Sequence, residues 1–202
     1  MSSKPFGSHI PWAEPSWYSG RPTPYYKPSH FKLRDYVRKW AEENINDNVT
    51  AWEAAGKIPD DVYRQCADAG LILPLAAGNR IPREWANFPI AAGIKAEEWD
   101  GFHDFVLWDE LFRGAPSISS AFVGLTVGAP PLKMYASQAL QAKIMPGILS
   151  GRKRICLAIT EPSAGSDVRN ITTTADKTAD GEYYIVNGEK KISGLNTLLQ
   201  FC

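Results

Sequence analysis

The sequence predicts an α+β protein, helices first and strands second. Two observations carry that reading. Apolar residues recur at helical spacing through about residue 150, as in Leu33, Val37 and Trp40. After Arg154 the pattern changes to short apolar runs bounded by turn residues, at 155–159, 172–175 and 182–186. A block of helices followed by a block of strands argues against alternating βα units and places a boundary near residue 152.

Composition bounds the rest. The 202 residues leave room for one domain of ordinary size or two small ones. Lys+Arg and Asp+Glu are both 22, so the net charge is zero, and a nucleic-acid partner held by phosphate neutralisation is not expected. Hydrophobic residues at 44% and charged residues at 22% describe a globular chain. The longest apolar run, 71–77, contains Pro74 and falls well short of the roughly 18 residues of a membrane span. Cys66, Cys156 and Cys202 are too scattered for a disulfide framework or a zinc site, so a reducing compartment is expected. No secretory, peroxisomal or prenylation signal is legible.

The first 28 residues hold six of the fifteen prolines, which predicts an extended arm rather than a helix. Its aromatics (Trp12, Trp17, Tyr18, Tyr25, Tyr26) favour an arm packed on the body. Ser29 is positioned to cap a first helix carrying Leu33, Val37 and Trp40. Ile45, Val49 and Trp52 resume that stripe one residue out of phase, and Gly56 and Pro59 end it. Asp60 opens a second helix with Val62, Tyr63, Cys66 and Ala67 on one face, closed by Gly70. Residues 71–95, rich in Pro and Gly, read as a long ordered loop.

A third helix is expected over 98–113, and a fourth from Ser117 to Gly128 and Pro130, with small residues that allow close approach. A short turn at 131–135, a helix capped by Ser137 and a separate piece at 146–149 complete the helical domain, 29–152. Residues 153–202 form the strand-bearing domain. A first short strand is expected at 155–159; two more, at 172–175 and 182–186, are joined by 176–181, and Asn187-Gly188 is a further hairpin signal.

Chemistry concentrates in 159–167, Ile-Thr-Glu-Pro-Ser-Ala-Gly-Ser-Asp, on the exit of a short apolar run. Such a loop aims successive backbone N–H groups at an anion; Gly165 permits close approach, and Thr160 and Ser166 add hydroxyl donors. An ordinary polar turn built on Ser/Thr and Asx motifs accounts for the same residues, and both readings stay open. His9, His30 and His103 are not expected to pair with any Ser or Cys, so no nucleophile–base arrangement is expected. The acidic group Glu97, Glu98, Asp100 and Asp104 reads as a charged helix start. The basic run 151–154 reads as a solvated edge.

Residues 137–191 carry an ordered series. A helix carrying Q-A-K (141–143) is followed by Pro, a short helix ending in Gly, an apolar run, T-E-P-S-A-G-S-D, a T-T-A strand and N-G-E-K. The series resembles the acyl-CoA dehydrogenase family of flavoproteins. The resemblance implies an α-helical N-terminal domain, then a β-barrel-like domain that is only partly present here, then a four-helix bundle. It also implies FAD. Ile159 and Thr160 would meet the pyrimidine edge of the flavin, and Gly165 and Ser166 the pyrophosphate. Ser193 would stand near flavin N5, and the fourth helix is a candidate wall of the acyl slot. The implied partners are an acyl-CoA substrate and, in the full-length form, further copies of the same chain. The implied chemistry is α-proton removal by a carboxylate with β-hydride transfer to flavin.

Two departures bear on that expectation. The carboxylate base belongs to the four-helix bundle, which lies beyond these 202 residues, so no residue here is assigned the role. The aromatic that normally follows N-G-x-K is missing, and all seven Trp lie at or before Trp108. The chain alone is expected to bind FAD weakly or not at all and to lack dehydrogenase activity. A related acyl-CoA or nitroalkane oxidase, and a non-catalytic binding or oligomerisation module, are the alternatives.

Overall fold

The computed structural model describes residues 6–113, 116 and 119–191. Helix α1 (Pro28–Ala41) begins with Pro in its first turn, where the lost N–H costs nothing. The residue outside it is Lys27 rather than Ser29, and the Lys27 N–H is taken by His30 Nδ1 at 2.8 Å. A π-turn, Glu42–Asn46, continues α1. One extra residue per turn is what the phase slip between Trp40 and Ile45 encodes. Helix α2 (Val49–Ala55) ends at Gly56, whose φ of 63° closes it in the left-handed region. Helix α3 (Asp60–Asp68) buries Val62, Tyr63, Cys66 and Ala67, the face its spacing predicts.

The expected loop at 71–95 is corrected by α4 (Ile72–Ala77), every residue of which is buried. A helix buried all round shows no amphipathic period, and Pro74 lies in its first turn, so neither periodicity nor the proline betrays it. The remainder of that stretch holds two short 3₁₀ turns, Arg83–Trp85 and Ala91–Gly93. Gly70 is required where α3 turns into α4: its φ is 77°, and a Cβ there would lie 2.5 Å from the Ala91 nitrogen.

Helix α5 (Gly101–Arg113) runs beside α1. The fourth expected helix and the turn after it are one element, α6 (Ser119–Tyr135), which continues through Pro130 and Pro131. Helix α7 (Gln138–Leu149) likewise continues through Pro146, and Ser137 caps it by accepting the Leu140 N–H at 3.2 Å. Helix α4 packs against α3, α6 and α7, at the centre of the helical body. The arm closes one side: Trp17 and Tyr18 are buried, Trp17 stacks on Tyr26 at 4.0 Å, and the Arg34 guanidinium lies 3.8 Å over the Phe6 ring.

Beyond α7, Gly151 makes a close joint, with φ 69° and space for a Cβ only 2.7 Å from the Tyr63 carbonyl. Arg154 is not a solvated edge: Nη2 contacts Asp60 Oδ1 at 2.9 Å and the guanidinium lies 5.2 Å over the Tyr63 ring. The strand expected at 155–159 makes no ladder among the described residues. Strands β1 (Thr174–Lys177) and β2 (Tyr184–Asn187) pair antiparallel, Thr174 opposite Asn187 and Lys177 opposite Tyr184. Their connection, 178–183, is pinned by Thr178 N–H to Tyr183 O at 3.0 Å and by Gly181 at φ 76°. This small sheet is not closed among the described residues. Asn187-Gly188 makes no second hairpin there; Gly188 instead allows close approach, since a Cβ on it would fall 2.2 Å from Thr173 Oγ1.

Candidate functional site

The 159–167 loop is built on a two-residue turn. Glu161 and Ala164 exchange both backbone hydrogen bonds, at 2.9 and 3.2 Å, with Pro162 and Ser163 between them. Beyond that bridge the Gly165 and Ser166 N–H groups make no hydrogen bond among the described residues, and both residues are exposed. A Cβ on Gly165 would meet nothing within 4 Å, so packing within the chain does not demand glycine there. The requirement, where there is one, comes from what approaches the loop.

Ile159 and Thr160 lie just before the bridge. The Ile159 carbonyl accepts from Lys190 Nζ at 3.2 Å, and the Thr160 carbonyl accepts the Lys191 N–H at 2.7 Å. The Thr160 hydroxyl has no partner among the described residues. The structure therefore brings Ile159, Thr160, Gly165 and Ser166 to one loop, whereas Ser193 lies outside the described residues. Two residues of this loop system are not among the expected site residues: Glu161 and Lys190. Their signal was the acid and the lysine inside two motifs already singled out.

On α6, Phe122 and Leu125 are buried, whereas Val123 and Val127 are each 45% exposed on an otherwise small-residue stretch. Gly128 brings the chain after α7 against this helix, since a Cβ there would meet Ile155 Cγ1 at 3.0 Å.

A second cluster sits at the N-terminal ends of α1 and α5, and it corrects the expectation that no histidine pairs with a hydroxyl. His103 Nε2 lies 3.1 Å from Ser29 Oγ, and both are buried. Asp100 Oδ1 lies 2.9 Å from both His103 Nδ1 and His30 Nε2. Ser, His and Asp in this order form a triad-like line, yet a nucleophile needs room for substrate, and Ser29 is enclosed in the helix joint. Metal ligation is also disfavoured. His30 Nδ1 accepts the Lys27 N–H, which leaves the proton on Nε2, the atom a metal would need bare. The cluster is a hydrogen-bonded helix joint, and Asp100 does accept the Phe102 and His103 N–H groups as a capping residue. Cys66 is no nucleophile either, because burial pushes its thiol up to about 12.

The family model described as acyl-CoA dehydrogenase, N-terminal domain, matches residues 27–152. The chain belongs to the acyl-CoA dehydrogenase family. The middle-domain model of that family matches residues 156–202. An acyl-CoA dehydrogenase of Emericella nidulans, apdG, is 42% identical over 91% of this chain and 43% of its own length. The crystal structure of an acyl-CoA dehydrogenase from Geobacillus kaustophilus superposes with a TM-score of 0.68 at 27% identity, over 84% of this chain and 40% of that one. An acyl-CoA dehydrogenase of Bacillus anthracis, solved in complex with FAD, shares the fold at a TM-score of 0.67 and 20% identity, over 83% of this chain and 27% of that one. The chain thus spans less than half the length of these relatives. The helical domain and open antiparallel sheet are those of an acyl-CoA dehydrogenase-type oxidoreductase flavoprotein.

Proposed function

We propose that this chain supplies the cofactor-phosphate loop and one wall of the substrate slot of an FAD-dependent enzyme that introduces a double bond α,β to an acyl-CoA thioester. The observation that carries the reading is the pair of N–H groups at Gly165 and Ser166, unpartnered among the described residues, the first on a glycine that the protein's own packing does not require. The N–H donors that follow the Glu161–Ala164 bridge suit a pyrophosphate, whose oxygens accept several converging N–H groups. The residues present therefore fit FAD: Gly165 and Ser166 toward its pyrophosphate, and the free Thr160 hydroxyl with Ile159 toward the ring's pyrimidine edge. When bound, FAD supplies the hydride acceptor. The half-exposed Val123 and Val127 on α6 offer an apolar wall for an acyl chain. No residue of this chain is assigned the base that takes the α-proton.

Flavin titration tests the reading on the 202-residue chain. Weak but saturable FAD binding is expected, with no bleaching by an acyl-CoA. Gly165→Val narrows the loop, and Ser166→Pro removes a donor N–H. Each should weaken binding about tenfold or more, the worth of a charge-assisted bond. Gly165→Val is the cleaner variant because its new side chain meets open space in the protein itself. Absence of saturable binding, or wild-type affinity in both variants, overturns the reading.

A further inference from the structure

The loop just described does not hold itself. Three separate stretches of chain (159–161, 172–173 and 188–191) converge behind it, and one carboxylate joins them. Glu161 Oε2 accepts the Thr172 N–H at 2.6 Å and the Thr172 hydroxyl at 2.9 Å. Oε1 accepts the Thr173 N–H at 3.0 Å and Lys190 Nζ at 2.8 Å. Lys190 Nζ also reaches the Ile159 carbonyl at 3.2 Å, and the Lys191 N–H reaches the Thr160 carbonyl. The Glu161 side chain is 1% exposed although Pro162, Ser163, Gly165 and Ser166 around it are all exposed.

We propose that Glu161 and Lys190 are positioning residues that latch the 159–166 loop to the two following stretches and so hold its free N–H groups in the arrangement a phosphate requires. The inference rests on the flavin reading for its purpose, but the latch itself is a statement about this chain. Its chemistry is specific. Each oxygen of Glu161 is met by donors, so an amide at this position would point an NH₂ group at another donor whichever way it turned. Glutamine is therefore not a conservative replacement. Nor is the pair a simple ion pair, because Thr172 and Thr173 need an acceptor at position 161 and not at 190. Lys190, by contrast, needs only to be a long cation with donors for Oε1 and the Ile159 carbonyl, a role arginine can fill. The Lys190 ammonium and the threonine N–H groups hold the carboxyl well below the usual carboxylate range, so the acceptor stays ionised at any physiological pH.

The test uses the full chain and two measurements. Glu161→Gln and Lys190→Ala should each weaken FAD binding about tenfold, with Lys190→Arg close to wild type. The exchanged pair Glu161→Lys with Lys190→Glu should not recover binding. Amide hydrogen exchange at Thr172 and Thr173 should quicken about tenfold in Glu161→Gln, while helical residues keep their protection. Recovery in the exchanged pair, or unchanged FAD affinity in Glu161→Gln, overturns the latch. Should the wild-type chain bind no FAD, the flavin reading fails by itself. Hydrogen exchange then decides the latch alone, unchanged rates at Thr172 and Thr173 overturning it.

Discussion

Glu110 shows how single residues fasten the arm. Its side chain is wholly buried, so its charge must be paired. Arg38 donates to both of its oxygens, and the Tyr18 hydroxyl donates to one. Burial first, and then the Glu110 carboxylate, push the Tyr18 hydroxyl far above its ordinary value, so it remains a donor. Arg38 also grips Glu14 through Nη1 and Nη2, at 3.0 and 3.2 Å. Burial opposes ionisation of Glu14, but the Arg38 hydrogen bonds and the Ser8 N–H outweigh it and lower its pKa. Glu110→Ala leaves Arg38 half-paired and should cost roughly 3 kcal/mol, the scale for breaking a buried ion pair. Tyr18→Phe removes the hydroxyl shared between Glu110 and Asp109 and should cost about 1 kcal/mol. Urea denaturation midpoints check both. If Glu110→Ala costs no more than Tyr18→Phe, the charge is not what fastens the arm. The aromatic content of the arm was legible in the sequence. This network was not, because Glu110 lies 72 and 92 residues from Arg38 and Tyr18, and no spacing rule reaches that far.

Helices α1 and α5 show the same joining at the level of elements. Their N-terminal ends meet at Asp100, a carboxylate placed where both helix dipoles favour negative charge. Burial first, and then the nearby His30, lower the pKa of His103 below its ordinary 6.5. Burial opposes the charge on Asp100, yet His30, the His103 N–H and Lys27 outweigh it and hold the carboxyl below its ordinary 3.8. Both shifts have the same sign for stability. The unfolded chain takes up protons first, so stability is full above pH 6.5, declines below it through His103, and declines further below about pH 4 through Asp100. Tm measured from pH 8 to 5 should fall on the acid side, and His103→Asn should flatten the part between 7 and 5. An equal slope in the variant would remove His103 as the source. Element type was legible wherever a helix had one wet face, as in α1 and α3. It failed at α4, dry on all sides, and at Pro130, Pro131 and Pro146. There the burial of Phe122, Leu125, Ala129 and Met145 carries the helix across positions that local propensity would break. In the candidate site, the loop residues were legible because the motif is contiguous. The latch to Thr172 and Thr173 was not, because it joins stretches that only folding brings together.

The whole molecule divides into a dense helical body and an outlying sheet. All eight residues of β1 and β2 are exposed, and Tyr183, Tyr184, Ile185 and Val186 remain 57–70% exposed. A lone two-stranded hairpin is marginal in water. Its order therefore depends on where the chain after α7 is held, and Gly128 is one such place, with Ile155 and Cys156 against the α6 backbone. The distribution of tryptophan makes this separable by experiment. All seven Trp belong to the arm and helical body, so Trp fluorescence follows the body alone. Gly128→Val adds a branched side chain where a Cβ alone would stand 3.0 Å from Ile155 Cγ1 and 3.3 Å from the Cys156 backbone carbon. Within α6 the exchange is nearly neutral or mildly favourable, since glycine is the poorer helix former by a few tenths of a kcal/mol. The Trp-monitored midpoint should therefore hardly move, while hydrogen exchange over 155–161 and 174–187 should quicken. Gly128→Ala should fall between the two. If exchange in the sheet stays at the wild-type rate in Gly128→Val, the attachment lies instead at Gly151 and the Arg154–Asp60 pair. A combined drop in both measurements would mean that body and sheet unfold as one unit.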